Sequence, residues 1–316
     1  MIGPILFLVL SYIIYRDIQN QPNLRESRQI ILDSISGKGK WLVILLVVLM
    51  FLNWGIEALK WQILIRPVQK INYLKSLKAV LSGISFALFI PVGDYLGRLL
   101  YMKEGNRLRS VSLNIAGSMS QLIITLLAGI VGIFYLRSHV LQPKMQLGGL
   151  SEFWLDALVY VIVSGSLVLV MIYFKLSRIT TLLEKVPFIY RYRFFIEGLE
   201  HFTTGELTRI LLLSFCRYCI FIVQYLLVLH IFGVGIAALN AMSATSVLFL
   251  VLALIPSITI AELGVRGEVS IQLFGLLSVN SLGIVASAAL IWVVNLIIPA
   301  LAGSIFILSI KIFRNK

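Results

Sequence analysis

The chain has 316 residues, 59% of them hydrophobic and 13% charged, with a mean hydropathy of +0.97. A soluble domain carries about 25% charged residues, and its apolar side chains do not gather, as these do, in blocks of about 15–25 residues, the length that crosses about 30 Å of hydrocarbon. A soluble enzyme, a disulfide-stapled secreted domain, a disordered chain and a membrane β-barrel of alternating strands of about 10 residues are excluded. The formal net charge of +13 reports basic cytoplasmic loops and contact with anionic lipid headgroups. Nucleic acid is not an expected partner, because no basic soluble domain is present to bind it.

Taken in chain order, the spanning segments expected are 1–15, 41–59, 111–136, 153–174, 208–232 and 284–310, each too long and too uniformly apolar for a strand. Segment 1–15 lacks a basic start and a small-residue cleavage site, so it reads as a retained helix. Two further apolar stretches, 79–97 and 244–278, are broken by Pro, Gly and charge. The loop at 60–78 holds Lys60, Arg66, Lys70, Lys75 and Lys78 with no acid, and 98–110 holds Arg98, Lys103, Arg107 and Arg109 against Glu104. Both read as cytoplasmic, so 79–97 enters and leaves on the same side. The stretches 233–243 and 279–283 carry no charge, whereas the tail has Lys311, Arg314 and Lys316. This places 244–278 on an outward-opening hairpin and both termini in the cytoplasm. Parity then forces 16–40 outside despite Arg16, Arg25, Arg28, Lys38 and Lys40. Segment 175–207, which mixes Phe188, Tyr190, Tyr192, Phe194 and Phe195 with basic residues, reads as a cytoplasmic interfacial element.

The expected fold is therefore all-α and polytopic, a single integral domain over 1–316. It has about six full spans and two broken or re-entrant hairpins related as an inverted repeat. The hairpins share an order of residues: Ile-Pro, an acid, and an Arg four residues beyond it. The first has Pro91, Gly93, Asp94, Gly97 and Arg98, and the second has Pro256, Glu262, Gly264, Arg266, Gly267 and Glu268. Irregular backbone at membrane depth survives only where protein buries it or it lines a wet cavity, and paired broken helices in opposed orientation mark substrate sites in transporters. A pair of kinks with snorkelling charges is the alternative.

Asp94 with Arg98 and Glu262 with Arg266 can each neutralise themselves across one helical turn. Arg217 lies near the centre of 208–232, with Tyr218 beside it and with Phe221 and Gln224 at helical spacing on its own face. An unpartnered arginine there costs about 2.5–3.5 kcal/mol, so it needs Glu262, Asp94 or an anionic ligand. Arg98, Arg217, Arg266, Asp94, Glu262, Gln224 and Tyr218 are the candidate substrate contacts. Glu57 and Lys60 read as an interfacial contact at the cytoplasmic end of the second helix. Asn295 and Trp292 read as interhelical hydrogen-bonding residues. Cys216 and Cys219 read as packing residues. His139, His201 and His230 are scattered, and no phosphate-binding, zinc-protease or nucleophile-elbow motif occurs. No cofactor, metal or catalytic residue is expected.

With these residues in view, the chain resembles the lysylphosphatidylglycerol synthase transmembrane-region, or flippase-like, family over nearly its whole length. The markers are Tyr15-Arg16-Asp17-Ile18, Lys60-Trp61, Pro91-x-Gly93-Asp94-x-x-x-Arg98, and Pro256 followed by Gly264-Val265-Arg266-Gly267-Glu268. The resemblance implies a bacterial inner-membrane protein whose relatives move an aminoacylated phospholipid between leaflets, with lysine transfer residing in a separate soluble domain. The chain ends at Lys316, just past its last helix, so a translocase of anionic or aminoacylated lipids is expected, and a synthase is not. The alternatives are a non-transporting scaffold for a lipid or glycan synthesis enzyme and an intramembrane transferase using a polyprenyl phosphate.

Overall fold

A computed structural model describes residues 39–88, 90, 92–140, 152–176, 199–200, 202–255 and 259–309, together with Gln29. The first expected span, Pro91, Pro256, the tail and most of the interfacial segment 175–207 lie outside the described residues. Those described are helical with no strand. In chain order the helices are α1 (Lys40–Ile65), α2 (Tyr73–Ala87), α3 (Gly93–Leu99), α4 (Arg107–His139), α5 (Glu152–Phe174), α6 (Thr204–Ile231), α7 (Ala238–Leu254), α8 (Thr259–Phe274), α9 (Ser281–Trp292) and α10 (Ile298–Ser309). A single 3₁₀ turn, Glu104–Asn106, precedes α4, and a π-helical turn, Val293–Ile297, joins α9 to α10.

Among the described residues, five stretches are long and apolar enough to cross a membrane: Lys40–Ile65, Glu104–His139, Asp156–Phe174, Thr204–Ile231 and Ser281–Leu308. The protein is a multi-pass membrane protein. Its outward faces are apolar, as a hydrocarbon solvent requires: Tyr160, Val161, Phe51 and Val131 are all exposed. Helix α1 runs six residues beyond the expected end at 59, so Lys60 belongs to a helix and not to a loop. The capping chemistry is local. Asn72 accepts from the Lys75 amide at 2.9 Å and starts α2. Thr203 and Glu206 form a reciprocal capping box at α6, with Thr203 Oγ1 accepting at 3.2 Å and Glu206 Oε2 accepting from the Thr203 amide at 3.0 Å. The turn after α6 needs Gly233, whose φ is 65°.

The helices sort into two compact units, and the division falls inside α1 after Phe51, α4 after Ile124, α5 after Ser164 and α6 after Tyr218. The first unit holds α7, α8 and α9 with parts of those four helices. Its centre is aromatic: Tyr225 stacks on Phe274 at 5.6 Å and meets the edge of Phe249 at 5.9 Å, while its hydroxyl bonds Ser270 at 2.9 Å. The second broken stretch is the α7–α8 pair, interrupted after Leu254. Gly264 and Gly267 are buried within α8, not at that interruption.

The second unit holds α2, α3 and α10 with the remaining parts of α1, α4, α5 and α6. Its core gathers Trp61, Leu64, Val80, Leu113, Tyr173 and Ile210. The first broken stretch is the α2–α3 hairpin, closed by glycine. A Cβ on Gly97 would strike the backbone of Gly83 and Ser82, and one on Gly93 would strike Phe86. Small residues let helical backbones approach in this way. Helix α10 docks on the same hairpin: a Cβ on Gly303 would strike the Leu81 carbonyl, and Ser85 Oγ donates to the Ala300 carbonyl at 2.6 Å.

Candidate functional site

One face of α1 carries Asn53, Glu57 and Lys60 at positions i, i+4 and i+7 of an otherwise apolar helix. All three are buried in the second unit, with Glu57 5% and Lys60 1% exposed. Glu57 is the shared counter-ion of three cations. Lys60 Nζ lies 2.8 Å from Oε2, Arg98 Nη2 donates to Oε1 at 3.0 Å, and Arg217 Nη1 donates to Oε2. The hairpin supplies Arg98 from α3, and α6 supplies Arg217.

Each arginine is fixed from more than one side. Arg98 grips Asp94 one turn earlier with two nitrogens, Nε to Oδ1 at 3.0 Å and Nη2 to Oδ2 at 2.9 Å, and donates to Asn114 at 3.4 Å. Arg217 donates through Nε to Asn53 Oδ1 at 2.8 Å and through Nη1 to Gln121 Oε1 at 3.5 Å, and its guanidinium lies 5.2 Å from the Trp54 ring centre. Lys60 also donates to the Gly117 carbonyl and Ser214 Oγ, both at 3.4 Å, and Ser214 meets Ser120 at 2.8 Å. The Asp94 side chain is 37% exposed, against 7% for Arg98 and 8% for Arg217, so the cluster reaches the protein surface at Asp94.

Among the described residues, five charges thus meet inside the second unit, three positive and two negative. Charges taken out of water cost several kcal/mol each and persist only where partners and hydrogen bonds compensate them. This cluster is compensated in geometry and retains one positive charge in excess.

The expected partner of Arg217 is corrected by this geometry. Its carboxylate is Glu57, whereas Glu262 pairs with Arg266 along α8, Nη2 to Oε1 at 2.5 Å, in the first unit. The reading of Glu57 and Lys60 as an interfacial contact is corrected as well, because both are buried and Glu57 is the centre of the network. Asp94 and Arg98 do join the cluster with Arg217, and Tyr218 is buried beside Arg217 on α6. Gln224 is buried elsewhere, in the first unit, where its Nε2 donates to the Leu46 carbonyl at 3.2 Å. Asn53, which the sequence places with Glu57 in the second helix, completes the cluster with Asn114 and Gln121, and the last two escaped the sequence reading. For Asn53 and Glu57 the signal was available, since polar residues at i and i+4 in an apolar helix mark one interior face. Among the described residues no three His, Cys, Asp or Glu side chains gather as a metal site requires.

Comparison with curated proteins and comparison with solved structures each gave no match. The family model described as the lysylphosphatidylglycerol synthase TM region matches residues 5–303. That range contains both broken stretches and every residue of the buried cluster, and the chain belongs to the lysylphosphatidylglycerol synthase TM region family.

Proposed function

We propose that the protein is a lipid translocase that moves an anionic or aminoacylated phospholipid headgroup between the leaflets of a bacterial inner membrane, with both termini cytoplasmic. The observation that carries this reading is the buried cluster around Glu57, in which Arg98 and Arg217 converge on one carboxylate within membrane-spanning structure. A stable fold has little use for five charges where apolar residues would pack as well, and ionisable groups at membrane depth mark pathways and ligand sites. Guanidinium groups suit the task because their planar forks match phosphate oxygens. Family membership supports the same reading. The role proposed is transport: the cluster offers guanidinium and amide groups to an anionic headgroup.

The test is leaflet-specific labelling. Purified protein is reconstituted into vesicles carrying fluorescent phosphatidylglycerol, and bleaching from outside follows its appearance in the outer leaflet. Protein-dependent movement that disappears in Arg98→Ala supports the translocase. Vesicles in which lipid crosses no faster than in protein-free controls overturn it.

A further inference from the structure

The polar atoms left over around the cluster are donors. Asn53 and Asn114 are both buried, 0% and 3% exposed. Each spends its Oδ1 on an arginine, Asn53 on Arg217 and Asn114 on Arg98. That contact fixes which end of each amide is oxygen, and the Nδ2 of both has no partner among the described residues. The indole N–H of Trp54, whose ring packs against Arg217, has none either. The carboxylates are already spent: Glu57 receives Arg98 on Oε1 and Lys60 and Arg217 on Oε2, and both oxygens of Asp94 receive Arg98. A buried donor without an acceptor costs about 1–3 kcal/mol. The site therefore lacks acceptors and one negative charge.

From this we infer that the ligand of the cluster is a singly charged phosphodiester headgroup without an ammonium substituent. Its oxygens would face Arg98 and Arg217 and accept from the amide groups of Asn53 and Asn114. One negative charge brings the five charges to neutrality. A lysyl ester brings two ammonium groups to a site already one positive charge in excess, so the aminoacylated lipid in the family's name is disfavoured. The translocase reading enters only in taking the phosphodiester from a lipid; the binding chemistry stands without it.

Binding is measured with the full chain in detergent, by calorimetry, against five probes: dioctanoyl phosphatidylglycerol, its lysyl ester, dioctanoyl phosphatidylcholine, glycerophosphoglycerol and inorganic phosphate. The expected order puts phosphatidylglycerol at least about tenfold tighter than the lysyl ester and phosphatidylcholine, a difference of about 1.4 kcal/mol. Asn114→Ala and Asn53→Leu, each checked for folding by circular dichroism, should weaken phosphatidylglycerol binding several-fold and leave the weak lysyl-ester binding unchanged. Asn114→Ala removes only one 3.4 Å contact from the apo fold, so it keeps the test open if Asn53→Leu fails to fold. Equal or tighter binding of the lysyl ester, or unaltered binding in a folded Asn114→Ala, overturns the inference. Binding of inorganic phosphate or glycerophosphoglycerol as tight as that of phosphatidylglycerol overturns the lipid source. Lipid that binds in this order and never crosses the bilayer would instead refute the translocase reading alone.

Discussion

At the residue scale the protein is organised by Glu57, a single carboxylate at the meeting point of three helices. Removing its charge leaves Lys60, Arg98 and Arg217 buried together with only Asp94 against them. Loss of one member of a buried ionic group costs about 3–5 kcal/mol, because the remaining charge is uncompensated. Glu57→Gln is therefore expected to lower the melting temperature of the detergent-solubilised protein sharply. Adding Lys60→Met to it should recover part of the loss, a coupling readable as non-additivity in the double mutant. Arg217 makes a different demand. Its Nε and Nη1 reach Asn53 and Glu57 at once, which one lysine nitrogen does not reproduce. With a charge-assisted hydrogen bond worth about 1.5–3 kcal/mol, Arg217→Lys is expected to slow lipid movement about tenfold or more at normal expression, measured by the same bleaching assay. Wild-type rates would reduce Arg217 to a packing role. Arg217 stood out in the sequence because an arginine in an apolar run has no bland neighbour to hide it. Glu57 did not, because Lys60 three residues on offered it a self-sufficient partner and the apolar run stops close by. The pairing that matters depends on helices 41 and 160 residues away in sequence, which no local pattern encodes.

At the scale of elements, the α2–α3 hairpin shows what glycine does when two helices touch backbone to backbone. Gly97 faces Gly83 and Ser82 with no room for a methyl group. Gly97→Ala is expected to destabilise by about 1–3 kcal/mol, as overpacking does, and to reduce the yield of folded protein. Gly165 on α5 meets nothing within 4 Å, so Gly165→Ala is the matched control and should lose nothing. A melting temperature equal for the two variants would show that the hairpin contact is looser than drawn. The helices themselves were legible from hydropathy and length, since each spanning run needed only a long apolar stretch. Their ends were less so: α1 continues to Ile65 because Lys60 buries its charge on Glu57 instead of leaving the helix for water. The interruption after Leu254 was legible from Pro256, but the glycines that follow sit inside α8, where they are small residues in a packed helix.

For the whole molecule, the loop charges make a topological statement that labelling can check. Positions 75, 103, 235 and 279 are all exposed, and Cys216 and Cys219 can be replaced by Ser to clear the background. Lys75→Cys and Lys103→Cys are expected to react with impermeant maleimide from the cytoplasmic side, and Gly235→Cys and Val279→Cys from the opposite side. Reaction of 75 and 103 from different faces would mean that 79–97 crosses the bilayer outright. Membership of the family was legible from short motifs, whereas the acceptor-poor chemistry of the cluster was not. It depends on which atom of Asn53 and Asn114 turns toward an arginine, a property of assembled side chains.

The glycine contacts of the hairpin carry one more consequence. At Gly93, Gly97 and Gly303 the three pieces α2, α3 and α10 meet backbone to backbone, so at those points there is no side chain whose rotamer could absorb a displacement. Arg98 is thus a long lever mounted on a stiff base. Whatever travel the guanidinium needs to pass from Glu57 to an incoming phosphate comes from its own methylene arm or from displacement of the whole base.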